Sequence, residues 1–190
     1  MRTLRFSFFF LPLLFLTFGI TARADDPAAD YGKIHEGMSK LAPMVGKWRA
    51  VALFHDGDGV TENDGTYEVA WALEDTYLEF HAEMHRKGDP SHHHGFIIFI
   101  TYNPATRHYE STYFYTRWAS RVTETGDYDA ASQEFRTTAF IPLEDGVRDE
   151  NVRTITRLKD PNKIVYTHYS RYSDQAAERM NVEITLTREP

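Results

Sequence analysis

The feature that most constrains the fold is a series of short, β-prone segments that runs from Val45 to the end of the chain. Each segment is rich in Val, Ile, Thr, Tyr, Phe and Trp, and each is bounded by a cluster of turn residues. About ten such strands are predicted between residues 46 and 188, after one short helix over residues 34–44. The chain is therefore predicted to be all-β, because many short strands with almost no helix form sheets that pack or close on themselves.

Three of the links between strands share one sequence pattern. They span residues 103–109, 129–135 and 160–166, and each begins with Asn or Asp and ends with an aromatic residue six positions later. Asn and Asp open turns by hydrogen-bonding to the backbone two residues on, and the aromatic residue then enters the next strand. Such links join sequential antiparallel strands. We therefore predict an antiparallel up-and-down β-barrel, because closure leaves no exposed sheet edge; a two-sheet sandwich is the alternative.

The first 24 residues differ in composition from the rest of the chain. Two arginines precede an apolar run from Phe6 to Ile20, and Ala22-Arg23-Ala24 supplies a small-x-small cleavage site. This order predicts a signal peptide over residues 1–24 and an exported protein, periplasmic or secreted. The apolar run is too short for a stable membrane span, which needs about 20 residues. A leader and short helix at 25–44 and a β-barrel domain at 45–190 would remain after cleavage.

Charge and cysteine content exclude several kinds of partner and site. The formal net charge is −7 and no block of Lys or Arg is present, which argues against binding to nucleic acid. The chain has no cysteine, so it has neither disulfides nor cysteine nucleophiles nor thiolate metal ligands. The common motifs of serine hydrolases, zinc proteases and nucleotide-binding enzymes are also missing from the sequence. Composition and motifs together favour a binding protein over an enzyme.

Alternation along the strands predicts which side chains point into the barrel. Tyrosine combines an apolar ring with a polar tip and suits a pocket for a small apolar or amphipathic molecule. Binding of such a molecule in the lumen is the leading functional prediction. The alternatives are an isomerase or hydrolase that uses His168 as a base and a lumen tyrosine as an acid, and a scaffold for another protein. The candidate ligand-binding residues are Tyr67, Trp71, Phe80, Tyr113, Tyr115, Tyr166 and His168.

The first and last predicted strands carry a recognisable pair of residues. Gly46-Lys47-Trp48 opens the first strand, and Arg188 closes the last strand in phase with its apolar side chains. The pair resembles the calycin pattern of lipocalins and fatty-acid-binding proteins, which implies that Trp48 and Arg188 close the barrel base. Together with Tyr77-Leu78-Glu79 and the 102–109 segment, it also resembles DUF1579, a domain-of-unknown-function family of bacterial exported proteins. That family carries no established chemistry, so the resemblance implies a fold.

A histidine-rich hairpin predicts a second kind of site. If residues 87–90 form its loop, His85 lies opposite His92 and Glu83 lies opposite His94. All four side chains would then share one face, because strand side chains repeat every two residues. Imidazole and carboxylate groups in this arrangement bind divalent metals such as zinc or nickel. The four residues are therefore a candidate metal site.

The metal prediction depends on the length of that loop. A loop one residue longer would place Met84 and Arg86 on the face of the histidines, and no site would form. A solvated histidine-rich turn that picks up metal adventitiously is the alternative. Haem is a further possibility, because some calycin-like barrels hold haem through one histidine, here His168. No other cofactor is expected.

Overall fold

One helix and ten strands make up the part of the chain that the computed structural model describes, residues 27–57, 59–116, 118–142, 149–175 and 177–190. The predicted signal peptide, residues 1–24, lies outside the described residues. Among those described, no helix is long and apolar enough to cross a membrane. The elements are α1 (Pro27–Ser39), a 3₁₀ turn (Ala42–Met44), β1 (Gly46–Asp56), β2 (Gly59–Ala72), β3 (Tyr77–Arg86), β4 (Asp89–Asn103), β5 (His108–Tyr115), β6 (Trp118–Asp129), β7 (Glu134–Pro142), β8 (Asp149–Asp160), β9 (Lys163–Tyr172) and β10 (Arg179–Arg188).

The ten strands form one closed antiparallel barrel. Each strand pairs with its neighbours in sequence, and β1 pairs with β10 to complete the ring. The predicted antiparallel up-and-down barrel of about ten strands with a short N-terminal helix is therefore confirmed, and the sandwich alternative is wrong. The bounds of the helix, predicted as residues 34–44, are wrong, because α1 begins at Pro27 and ends at Ser39. Closure pairs the outer edges of β1 and β10, which an open sheet would expose.

The three recurring links act as the predicted hairpin turns. The side chains of Asn103, Asp129 and Asp160 each accept a hydrogen bond from the backbone N–H two residues later, at 2.8 to 3.0 Å. The aromatic residues that end the first two links, Tyr109 and Phe135, are buried inside the barrel. These local turns explain why consecutive strands are neighbours, because each reverses the chain within a few residues.

The barrel is closed at the end where β1 begins and β10 ends. Trp48 is fully buried there, and its indole Nε1 donates a hydrogen bond to the carbonyl of Met44 at 2.9 Å. Arg188 pairs with Trp48 across the β1–β10 ladder, and its guanidinium lies 4.1 Å from the centre of the indole ring. Helix α1 packs at the same end, where the Tyr109 hydroxyl donates to the carbonyl of Gly37 at 2.7 Å.

Small side chains fill the lumen beside β1 and β3. Ala50, Ala52 and Ala82 are fully buried, together with Leu78 and Met84. Strands β4 to β9 contribute most of the aromatic and polar side chains of the larger cavity, and β10 contributes aliphatic ones. The space inside the barrel is therefore uneven, and it lies mainly toward β4 to β10 and away from the helix.

The pairing of β6 with β7 stops before it reaches the end of the barrel that lies opposite α1. Among the described residues, pairing between these strands ends at Thr125 and Thr138, although β6 begins at Trp118 and β7 ends at Pro142. Over that stretch β6 pairs with β5, and β7 pairs with β8. A groove of about 650 Å³ follows the gap on the outside, with the 61 % exposed side chain of Phe140 at its rim.

Candidate functional site

The candidate site is a cavity of about 290 Å³ inside the barrel, at the end opposite α1. A smaller cavity of about 50 Å³ continues toward the closed end. The two share a wall formed by Phe96, Tyr113, Glu124, Tyr166 and Ile184. The larger cavity is lined by Phe54, His94, Phe96, Tyr113, Tyr115, Val122, Glu124, Ile141, Glu150, Val152, Tyr166, His168, Val182 and Ile184.

Glu124 projects from β6 into the lumen and is 6 % exposed. Its Oε2 accepts hydrogen bonds from the hydroxyls of Thr137, Ser111 (3.4 Å) and Thr154 (3.5 Å). Burial raises the pKa of the Glu124 carboxyl, and the three hydroxyl hydrogen bonds oppose part of that rise. The cavity wall therefore holds a buried carboxyl group with a raised pKa, which can bind the polar part of a ligand.

Strand pairing explains how three residues that are distant in sequence meet at the Glu124 carboxyl. Ser111 lies directly opposite Glu124 across the β5–β6 ladder, and Thr137 lies opposite Thr154 across the β7–β8 ladder. Their side chains point inward because each is in phase with buried apolar neighbours on its own strand. The hydroxyls of Thr137 and Thr154 also hydrogen-bond to each other.

Tyrosine hydroxyls form the second polar feature of the lumen. Burial raises the pKa of Tyr113 to about 12 and raises the pKa of Tyr67 and Tyr166 well above the ordinary tyrosine value. All three side chains therefore stay protonated and neutral near pH 7, and each can donate a hydrogen bond. Within the described part of the chain, the buried Tyr67 hydroxyl has no hydrogen-bond partner.

His168 lies on the inner face of β9, opposite Thr154 and Val182. Burial lowers the pKa of His168 to about 4, so its ring is neutral near pH 7. Its buried Nδ1 atom has no hydrogen-bond partner among the residues described, so no direct pair with a tyrosine hydroxyl is formed through that atom. Ligation of haem by His168 stays a prediction.

The structure brings most of the candidate ligand-binding residues to the two cavities. Tyr67 and Phe80 line the smaller cavity, and Tyr115 and His168 line the larger one. Tyr113 and Tyr166 line both. Trp71 is not among the lining residues; it pairs with Leu78 and packs against the hydrophobic core.

The predicted arrangement of Glu83, His85, His92 and His94 is wrong. His94 is buried inside the barrel opposite Met84, and Glu83 lies opposite Gly95. His85 lies opposite His93, not His92. No group of three or more His, Cys, Asp or Glu side chains that could hold a metal ion occurs among the described residues.

The geometry of the hairpin explains this error. Arg86 pairs with Asp89, so the turn is the two residues Lys87 and Gly88, with Gly88 at a φ of +80° that favours glycine. The register then shifts between His85 and Arg86, which leaves extra residues on β4. This irregularity moves His94 to the inner face. His94 therefore lies opposite Met84, as expected for the alternative of a loop one residue longer.

The sequence analysis missed Glu124 and its hydroxyl partners Ser111, Thr137 and Thr154. A signal was present, because Glu124 is in phase with Val122 on β6 and Thr137 with Phe135 on β7. An acidic residue in the inward phase of a strand is unusual, since buried carboxyl groups need hydrogen-bond partners. Those partners lie on three other strands, and only the closed barrel brings them together.

Two solved structures have a partly similar chain path. One, described as "Structure of EF1p2_mFAP2b bound to DFHBI", matches 80 % of this chain and 99 % of its own at 9 % identity, with a TM-score of 0.44. A second, described as a de novo design of a fluorescence-activating beta barrel, matches 76 % of this chain and 93 % of its own at 11 % identity, with a TM-score of 0.39.

Sequence comparison adds a family. No curated protein matches the chain. A family described as "Protein of unknown function (DUF1579)" matches residues 33–188, from within α1 to the end of β10. The matched region contains the whole barrel, including Trp48, Arg188 and the lumen carboxyl Glu124. The chain therefore belongs to the DUF1579 family.

Proposed function

We propose that this protein binds a small apolar or amphipathic molecule in the barrel lumen. The observation that supports this most is the cavity of about 290 Å³, whose wall is mostly aliphatic and aromatic and includes the buried carboxyl of Glu124. Ligand sites are typically apolar pockets with a few polar groups that fix the orientation of the ligand. A lumen that served only stability would be filled, because unfilled buried volume destabilises a fold.

Binding without chemistry fits the lumen better than acid–base catalysis does. A general base works best when its pKa lies near the operating pH. Burial lowers the pKa of His168 to about 4, which makes the ring a weak base at neutral pH. Its Nδ1 also lacks an orienting hydrogen bond from any described residue, unlike the bases of acid–base pairs.

A blocked lumen tests the proposal. Val182 lines the cavity, whereas Glu183, the next residue on β10, is on the outward phase of the same strand. Val182→Trp fills the cavity, and Glu183→Trp adds the same side chain outside. Titration with the neutral dye N-phenyl-1-naphthylamine should give saturable fluorescence with the unmodified protein and with Glu183→Trp, and affinity weaker by about tenfold or more with Val182→Trp. Equal affinities for the two variants would contradict binding in the lumen.

We further propose that the protein meets its ligand after export, in the periplasm or outside the cell. Residues 1–24 support this proposal, because arginines, an apolar run and a small-x-small sequence follow one another there. The intact mass of the protein purified from its own source tests this. A chain that begins at Asp25 is expected, and a mature chain that still begins at Met1 would contradict it.

A further inference from the structure

The carboxylic acid side chains that line the larger cavity are not matched by a lysine or arginine among the described lining residues. Glu124 lies in the middle of the cavity wall and Glu150 at the start of β8, whereas no lysine or arginine is among the described residues that line either cavity. Two histidines, His94 and His168, also line it, and burial holds the pKa of His168 at about 4. A ligand with an anionic head group would meet carboxyl groups here and no lysine or arginine among the described lining residues, and burial of an unpaired charge is costly.

Aromatic rings supply half of the other described residues that line the larger cavity. The ring of Phe96 stacks on that of Tyr113 with centroids 5.7 Å apart, and the rings of Tyr115 and Phe54 each form a T-shaped pair with that of His94. Faces of aromatic rings carry partial negative charge and attract cations, most strongly where water is excluded. Rings and carboxyl groups therefore favour the same sign of ligand charge.

We propose that the lumen selects an organic cation, a ligand whose positively charged nitrogen, amine or quaternary ammonium, is carried on an apolar body. This inference rests on the proposed function, since it names the class of ligand that the lumen would hold. The charged nitrogen lies beside Glu124 and the rings of Tyr113 and Tyr166, and the apolar body contacts Val182 and Ile184. The negative net charge of the chain, −7, would also draw cations toward the barrel.

Binding of a cation is coupled to the protonation of Glu124. All three hydroxyls donate to Oε2, so Oε1 is the oxygen left to contact a bound cation. Burial raises the pKa of Glu124 and a bound cation would lower it, so the affinity for a cation rises as pH rises through the titration of this carboxyl. Among the described residues that line the larger cavity, the other titratable groups are His94 on β4, Tyr113 and Tyr115 on β5, Glu150 on β8, and Tyr166 and His168 on β9; β7 contributes the hydroxyl of Thr137.

Three probes with the same eight-carbon body separate charge from apolarity. Calorimetric titration of the purified protein with octyltrimethylammonium, 1-octanol and octanoate should give the tightest binding for the ammonium, by about tenfold over octanol, and the weakest for octanoate. Octanoate binding as tightly as the ammonium, while Val182→Trp abolishes both, would overturn the cation inference and leave the proposed function standing. Failure of all three probes to bind would overturn the proposed function for ligands of this size, and the inference with it.

A matched pair of variants tests the role of Glu124. Glu124→Gln removes the lumen carboxyl, and Glu79→Gln removes one negative charge from the outer face of β3, opposite Phe99. The first change should weaken octyltrimethylammonium about tenfold and change octanol less than twofold, and the second should change neither. Equal weakening of octyltrimethylammonium binding by both variants would show that only the net charge of the protein matters. That result would overturn the proposed cation site in the lumen. Circular dichroism checks that both variants are folded; if Glu124→Gln is not, Glu150→Gln replaces it with the same expected direction.

Discussion

Arg188 and Trp48 face each other across the β1–β10 ladder, with the guanidinium 4.1 Å from the centre of the indole ring. The same guanidinium donates hydrogen bonds to three backbone carbonyls, those of Val45 (2.7 Å), Pro43 (2.7 Å) and Pro161 (2.8 Å). One side chain therefore joins the segment before β1, the end of β10 and the β8–β9 turn. This contact holds the closed end of the barrel together.

Removal of this side chain should lower stability substantially. Arg188→Ala loses the ring contact and the three charge-assisted hydrogen bonds, for an expected loss of about 2–4 kcal/mol in the free energy of unfolding. Arg179→Ala, at the exposed start of the same strand, is the control and should change stability by less than about 0.5 kcal/mol. Urea denaturation of both variants measures the difference. Similarly small losses of stability in both variants would show that Arg188 does not hold the closed end of the barrel together.

Gly46 is required by the same contact. Its φ of +141° is one that other residues rarely adopt, and a Cβ there would lie 2.4 Å from the Nη1 atom of Arg188. Gly46→Ala should therefore destabilise the barrel by about 2 kcal/mol or more. Gly32→Ala in α1 is the matched control, because nothing lies within 4 Å of its added methyl group and alanine favours helix. Thermal unfolding compares the two, and equal melting temperatures would contradict this account of the Gly-x-Trp sequence.

Local sequence was enough to predict the barrel, for a physical reason. Asn103, Asp129 and Asp160 each fix a turn through contacts within three residues, and alternation along each strand fixes which side chains point inward. Both signals can be read without knowledge of the fold. The inward orientation of Trp48 and Arg188 could be predicted in the same way, because each lies at the end of a strand in which apolar and polar residues clearly alternate.

The features that sequence did not reveal depend on other strands. The turn at Lys87-Gly88 and the register shift beside it reverse the face of His94, and a shift of one residue is enough to do this. The hydrogen bonds to Glu124 come from β5, β7 and β8, so no segment of sequence contains them. Cavity volume likewise depends on how all ten strands pack.

The buried carboxyl predicts one part of the pH dependence of stability. The pKa of Glu124 is higher in the folded barrel than the 4.5 of a free glutamate, so above pH 4.5 the unfolded chain loses its proton first and stability falls as pH rises through the raised pKa. Glu124→Gln should remove this fall and gain stability relative to the unmodified protein between pH 4.5 and 7. Urea denaturation across that range measures it. Parallel curves for the two proteins would contradict the raised pKa.

The buried His168 predicts the opposite dependence, a stability that rises with pH. Its pKa falls from 6.5 in the unfolded chain to about 4 in the folded barrel, so the unfolded chain takes up a proton first and stability is lost as pH falls from about 6.5 to about 4. The full loss amounts to roughly 3 kcal/mol. His168→Gln should remove it, and His85→Gln, on the exposed outer face, should not. NMR titration of the His168 ring gives the direct check, and a pKa near 6.5 would contradict burial in the lumen.

Native mass spectrometry of the protein purified from its own source tests the central claim most directly. The lumen is proposed to hold a small molecule without a covalent bond, so the native mass should exceed the polypeptide mass by that of one ligand. The excess should disappear on denaturation and should be absent from Val182→Trp, whose cavity is filled. A native mass equal to that of the polypeptide alone, identical for the unmodified protein and Val182→Trp, would contradict the claim that this barrel is a ligand-binding protein.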